Sequence, residues 1–222
     1  MKIALRIAIG WFALALAMDV RAALVSHNLN QSNELAGGPA YLRVSIDDQG
    51  LPGRINFNVS VLGPLIDIAD HNFGIQKFGF NSAFSISSSK VTGLPSNWHY
   101  DRGGNMSGFG RFDAGVKADH GNERRSSLSF SITGISMDTI ASYLQPSSGH
   151  AGNGNYFFAA HVAGFDSPYY DCVTSAYFAG STPVSPNPVP LPGAAGLLLA
   201  GLAIAGVFGR RAKKPEARTD PL

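Results

Sequence analysis

Polar and apolar residues alternate without a break over Arg54-Ile55-Asn56-Phe57-Asn58-Val59-Ser60-Val61. Successive side chains of a strand point to opposite faces, so this period of two predicts a half-buried β-strand. Ser127 to Thr133 repeats the pattern, as do Leu42, Val44 and Ile46, and Phe84 and Ile86 among their serines. Tyr156-Phe157-Phe158-Ala159-Ala160-His161-Val162 is more continuously apolar, which predicts a strand covered on both faces. Turn signals separate these runs: Asp48-Gln49-Gly50, Leu51-Pro52-Gly53, Gly63-Pro64, Gly93-Leu94-Pro95 and the glycine-rich stretch from Gly149 to Gly154. Met137 to Leu144 is the one stretch here that reads as helix, and it is brief. No internal repeat is visible. Many short strands without long alternating helices predict a mainly β fold, an antiparallel β-sandwich of jelly-roll-like type over residues 23–182.

The two ends follow another pattern. Lys2 and Arg6 precede an uncharged apolar run from Ile7 to Met18, and Val20-Arg21-Ala22-Ala23 follows. A basic start, a short apolar core and small residues at a cleavage point are the parts of a secretory signal peptide. Residues 1–22 are therefore expected to be a signal helix, cut between Ala22 and Ala23 by signal peptidase after passage through the Sec translocon. The apolar run would rise about 18 Å as a helix, well short of a hydrocarbon core of about 30 Å.

Near the other end, residues 183–192 carry five prolines and read as an extended, solvated spacer. Gly193 to Phe208 is free of charge, and Arg210, Arg211, Lys213 and Lys214 follow it. As a helix the apolar stretch is about 24 Å long, so it spans a bilayer with snorkelling basic side chains and local thinning. The basic cluster predicts a cytoplasmic flank and an exported body. Residues 215–222 are expected to be a disordered tail. Val189-Pro190-Leu191-Pro192, the small-residue apolar span and the Arg/Lys cluster together resemble the PEP-CTERM sorting signal. Leu191 stands where the name-giving pattern has Glu, no Trp appears in the span, and the chain continues past the basic cluster. The resemblance implies processing by an exosortase-type membrane enzyme. It implies transient residence in the inner membrane with the body in the periplasm, then a place at the cell surface or outside the cell.

Charge sharpens this division. The chain has 222 residues and a formal net charge of +2, with charged residues at 14%, against about 25% in an average domain. Residues 1–22 carry net +2 and residues 193–222 net +3, leaving −3 on the segment between. An acidic body lacks the basic footprint that nucleic-acid binding needs, so no nucleic-acid partner is expected. Arg124-Arg125 is the one dense basic pair in the body, and it reads as a solvated loop.

Catalytic chemistry is not visible. The single cysteine, Cys172, excludes an intramolecular disulfide framework and a cysteine-rich zinc module. None of the six histidines (27, 71, 99, 120, 150 and 161) has the spacing of a helical zinc pair, and no metal site is expected. His161, inside an apolar strand, reads as a hydrogen-bonded core residue. Asp47, Asp48, Asp67, Asp70, Asp113, Asp166 and Asp171 lie near turns, where aspartates commonly bond their own backbone. A structural Ca²⁺ held by such carboxylates is the one cofactor worth considering, and no EF-hand pattern supports it. No nucleophile elbow is present.

Aromatic residues give the functional hint. Trp98, Tyr100, Tyr169, Tyr170 and Phe178 lie in or near Gly/Ser/Asn-rich sequence. Flat rings beside polar side chains suit sugars, so Trp98, Tyr169 and Tyr170 are the candidate glycan contacts. Alternatively, Trp98 closes one end of the core. The expectation is a non-enzymatic structural or adhesive protein of the cell surface or biofilm matrix. The alternatives are an exopolysaccharide-binding module and, with less to recommend it, a secreted hydrolase.

Overall fold

The computed structural model describes residues 23–166 and 173–184. Residues 1–22, expected to be a signal segment, the stretch from residue 185 onward, Tyr169, Tyr170 and Cys172 lie outside the described residues. Fourteen strands occur among those that are described. They are β1 (Leu24–Leu29), β2 (Gln31–Ser32), β3 (Leu42–Asp47), β4 (Arg54–Val61), β5 (Ala69–Phe80), β6 (Val91–Thr92) and β7 (Trp98–Asp101). They continue with β8 (Gly104–Asn105), β9 (Arg111–Phe112), β10 (Ala114–Ala118), β11 (Ser127–Thr133), β12 (Phe158–Phe165), β13 (Ser175–Gly180) and β14 (Thr182–Val184). One six-stranded sheet has the order β14-β1-β3-β4-β11-β6, the other β2-β13-β12-β5-β10-β7, and β8 and β9 form a small pair. The strand pairings are antiparallel. The fold is thus mainly β, two antiparallel sheets enclosing a common core. Among the described residues no helix is long and apolar enough to cross a membrane.

The alternating runs become the inner faces of the first sheet. In β4 the even-spaced Ile55, Phe57, Val59 and Val61 are buried while Arg54 and Asn58 face out. Phe57 lies directly opposite Phe130 of β11, and their rings stack at 4.9 Å with planes 2° apart. Phe80 approaches Phe57 from the second sheet at 5.1 Å, and Tyr143 meets it edge-on at 5.2 Å. Phe78 continues the cluster toward Phe158 of β12, 6.1 Å away.

The outer face of the second sheet divides into two rows. Ala179, Ala159, Gly79 and Gly115 are neighbours in register across β13, β12, β5 and β10. A Cβ at Gly79 would lie 2.6 Å from Met106 Cε. These small residues admit Met106, Phe109 and Phe112 of the 104–112 segment, which form a second buried cluster over Ala159 and Ala179. At Phe158, Ala159 and Ala160 the apolar run of β12 is accordingly buried on both faces, whereas His161 is only half-buried. The next row, Tyr177, His161, Lys77, Lys117 and His99, is polar.

Three expectations are corrected. Phe84 and Ile86 are not in a strand. Ser82 Oγ accepts the Phe84 backbone N–H at 3.1 Å, a local bond that replaces a ladder bond, and Phe84 is exposed. The sandwich also runs past residue 182. Pro183 and Val184 pair with His27 and Ser26 in β14, an edge position where a residue without an N–H is tolerated. The expected helix at 137–144 is a short 3₁₀ turn, Ile140–Tyr143, with a capping box between Thr139 and Ser142.

Phe57 touches rings from both sheets, so Phe57→Ala should cost about 3–5 kcal/mol of stability. Denaturant unfolding of the purified protein measures this. A loss under 1 kcal/mol would mean that the aromatic cluster is not what joins the sheets.

Candidate functional site

Two glycines place a loop beside the polar row. Gly74 has φ of 146°, and a Cβ there would sit 2.6 Å from the Arg125 carbonyl carbon. Backbone bonds between Ile75 and Arg125, 2.8 and 3.2 Å, hold the 121–125 segment antiparallel alongside β5 at this point. Gly164 has φ of 82°, and a Cβ there would meet the His71 and Asn72 carbonyl oxygens at 2.6 Å. The β12–β5 register shifts between His161 and Val162 and again between Ala163 and Phe165, where Gly164 sits. Such bulges bend a strand and re-aim its side chains. The result is a pocket of about 310 Å³ whose lining includes His71, Gln76, Arg124, His161, Thr174 and Ser175.

Arg124 is the principal cation of this pocket. Its Nε–H donates to Gln76 Oε1 at 3.2 Å and its Nη1–H to the Asn72 carbonyl at 3.1 Å. Both partners are neutral. The salt bridges among the described residues involve Lys77, Lys117 and His99, and none involves Arg124. Lys77 and Lys117 share Asp101 Oδ2 at 3.6 and 3.5 Å. His161 forms the floor, its ring stacked on Tyr177 at 4.5 Å with planes 23° apart. Burial lowers its pKa to about 4, and the Arg124 and Lys77 charges push the same way. At neutral pH its imidazole is therefore uncharged. A second depression, about 380 Å³, lies on the far side of Tyr177, with Asn105, Ser107 and His150 in its lining.

The sequence-predicted residues are distributed differently. Trp98 is 7% exposed. Its indole N–H donates to the Glu123 carbonyl at 2.8 Å, so the ring face expected to meet a sugar packs against protein. This corrects Trp98 as a glycan contact, because a buried polar tip with a backbone partner fixes the ring inward. Tyr169 and Tyr170 lie outside the described residues, as do Ala22, Val189, Pro190, Leu191, Pro192, Arg210, Arg211, Lys213 and Lys214. Ala23 is described, and its backbone N–H donates to Asp48 Oδ1 at 2.8 Å. Phe178 is wholly buried. Tyr100 is half-buried, its hydroxyl donating to the Ile86 carbonyl at 2.9 Å, and burial raises its pKa. The histidine buried in the core is His27, which bonds the Ser181 carbonyl at 3.0 Å, whereas His161 faces outward. Among the described residues no three His, Cys, Asp or Glu side chains gather as a metal site.

Arg124 was legible as half of a basic pair and no more. Nothing in its immediate sequence distinguishes it from Arg125, which is exposed. The signal lies far off in the chain, in Gly74 and Gly164. Compared with known family models, curated proteins and solved structures, the chain matches none.

His161 generates a pH prediction. Its folded pKa lies below the unfolded value of about 6.5, so the stability it contributes is present above that value and is lost as pH falls toward 4. NMR titration should find one histidine near 4, and His161→Gln should flatten the decline of stability between pH 6.5 and 4. A His161 resonance that titrates near 6.5 would refute both expectations.

Proposed function

We propose that the chain is an exported bacterial surface or extracellular-matrix protein with a non-catalytic, structural or adhesive role. It is sorted and processed through a PEP-CTERM-like signal at residues 188–214. One observation carries this reading: the order proline-rich spacer, Val189-Pro190-Leu191-Pro192, uncharged span, Arg210-Arg211-Ala212-Lys213-Lys214. In this reading residues 193–208 form the one transmembrane helix, and an exosortase-type enzyme acts on the anchored precursor. Signal peptidase frees Ala23, and the body leaves the periplasm for the surface or the matrix. The finer fold class is jelly-roll-like, a reading supported by the repeated crossing of the chain between sheets, as from β4 to β5 and from β11 to β12.

The sandwich supports an export role in a physical way. Cleavage before Ala23 would turn its backbone N–H into an ammonium beside the Asp48 carboxylate. The bond that exists now at 2.8 Å would become an ion pair at the start of β1. Asp48 Oδ1 also accepts the Gly50 N–H at 2.9 Å, which keeps it aimed.

Deleting residues 190–222 in the native host should move the protein from the surface fraction to the periplasm or medium. Unchanged surface retention would reject the sorting role. Mass spectrometry of the surface form should find an N-terminus at Ala23. In that form Asp48→Asn should lower stability by about 0.5–1 kcal/mol, the scale of an exposed ion pair. An identical unfolding midpoint for the variant would exclude the terminal ion pair.

A further inference from the structure

We infer that the Arg124 pocket binds the carboxylate of an acidic sugar, with the glycan chain running over the stacked His161–Tyr177 pair along the outer face of the second sheet. The ligand class is a linear polyuronate. This rests on the adhesive reading above and names its ligand.

The charge pattern selects an anion. Lys77 and Lys117 are already paired with Asp101, and His99 with Asp119. Arg124 is held in place by two neutral oxygens and meets no carboxylate among the described residues. With its one Nε–H donated to Gln76, the Nη1–Nη2 edge of the planar guanidinium is left for a carboxylate, and the bonds to Gln76 and Asn72 pre-order the side chain. Asp70 on the pocket rim is exposed and works against a dense, multiply charged anion more than against a single carboxylate.

The rest of the lining suits a sugar rather than a bare ion. Gln76, Thr174, Ser175 and the uncharged His161 ring offer donors and acceptors for ring hydroxyls. Tyr177 has a flat aromatic body half-open at the surface. It lies between the Arg124 pocket and the Asn105–His150 depression, so a chain longer than one residue has a continuous path. A volume of about 310 Å³ is at the small end of ligand pockets and suits one ring at a time.

The backbone is built for this arrangement. Gly74 lets the 121–125 segment pair closely alongside β5, and Gly164 lets β12 bulge against the β5 backbone at His71 and Asn72. Both positions have positive φ that a side chain would strain.

The test is calorimetric titration of the full chain with oligomers of guluronate and mannuronate, with neutral dextran oligomers of equal length as the contrast and inorganic phosphate as a second anion. The variants are Arg124→Gln and, as a charge control on the adjacent exposed residue, Arg125→Gln; unfolding midpoints verify that each is folded. Binding of polyuronate but not dextran, weakened at least 10-fold in Arg124→Gln and less than 2-fold in Arg125→Gln, is the expected result. Should Arg124→Gln misfold, Arg124→Lys, which keeps the charge and loses the fork, should still weaken binding several-fold. The inference is overturned if no polyuronate binds, if dextran binds equally, if phosphate competes at equal concentration, or if both arginine variants lose equally. These outcomes concern purified protein, so they stand apart from cell fractionation, where the sorting reading can fail alone.

Discussion

The sandwich depends on the contact of Phe57 with rings from both sheets. Its partner on the same sheet, Phe130, stacks flat on it, whereas Phe80 and Tyr143 approach tilted or edge-on. Aromatic pairs gain from such geometries beyond the area they bury. The strict alternation around Phe57 is what makes the contact unique. A one-residue slip of β4 would present Asn56 and Asn58 to the core and Phe57 to water. The cluster therefore fixes register in the first sheet, and through Phe78, Phe80 and Phe158 it fixes the facing strands of the second.

Once β5 and β12 are fixed from the inside, their outer residues set what the second sheet can carry. Where the outward row is Ala179, Ala159, Gly79 and Gly115, a loop settles and is buried. One row along, Tyr177, His161, Lys77 and Lys117 are too large and too polar for that. The same strands thus have one covered band and one open band, separated by the two-residue step of the pleat. The open band is where the 121–125 segment brings Arg124.

How far the chain could be read before its structure depended on where the information sits. β4 and β11 were legible residue for residue because alternation is a local property. Phe84 and Ile86 had the same local pattern but no partner strand, and Ser82 offered the backbone a closer alternative. Trp98 looked like a loop aromatic because its carbonyl partner, Glu123, is distant in sequence. Arg124 looked like ordinary solvated charge for the same reason. The glycines that permit its close approach lie at positions 74 and 164, and a glycine's role in a close approach is visible only when the neighbouring backbone is known.

The charge distribution constrains how this body can hold an anionic polymer. Residues 23–192 carry a net charge of −3, so the field of the whole repels a polyanion at long range. A broad basic surface would bind such polymers through many weak contacts and would lose them steeply with salt, by counterion release. Here the attraction must come from one oriented guanidinium in a shallow pocket, supplemented by hydrogen bonds to neutral side chains. Such a site has a shallow salt dependence, and it distinguishes a sugar bearing a carboxylate from one that does not. An acidic body with one half-buried arginine held in a pocket is thus suited to selecting one kind of residue within a matrix, and it is poorly suited to adhering to anything negatively charged.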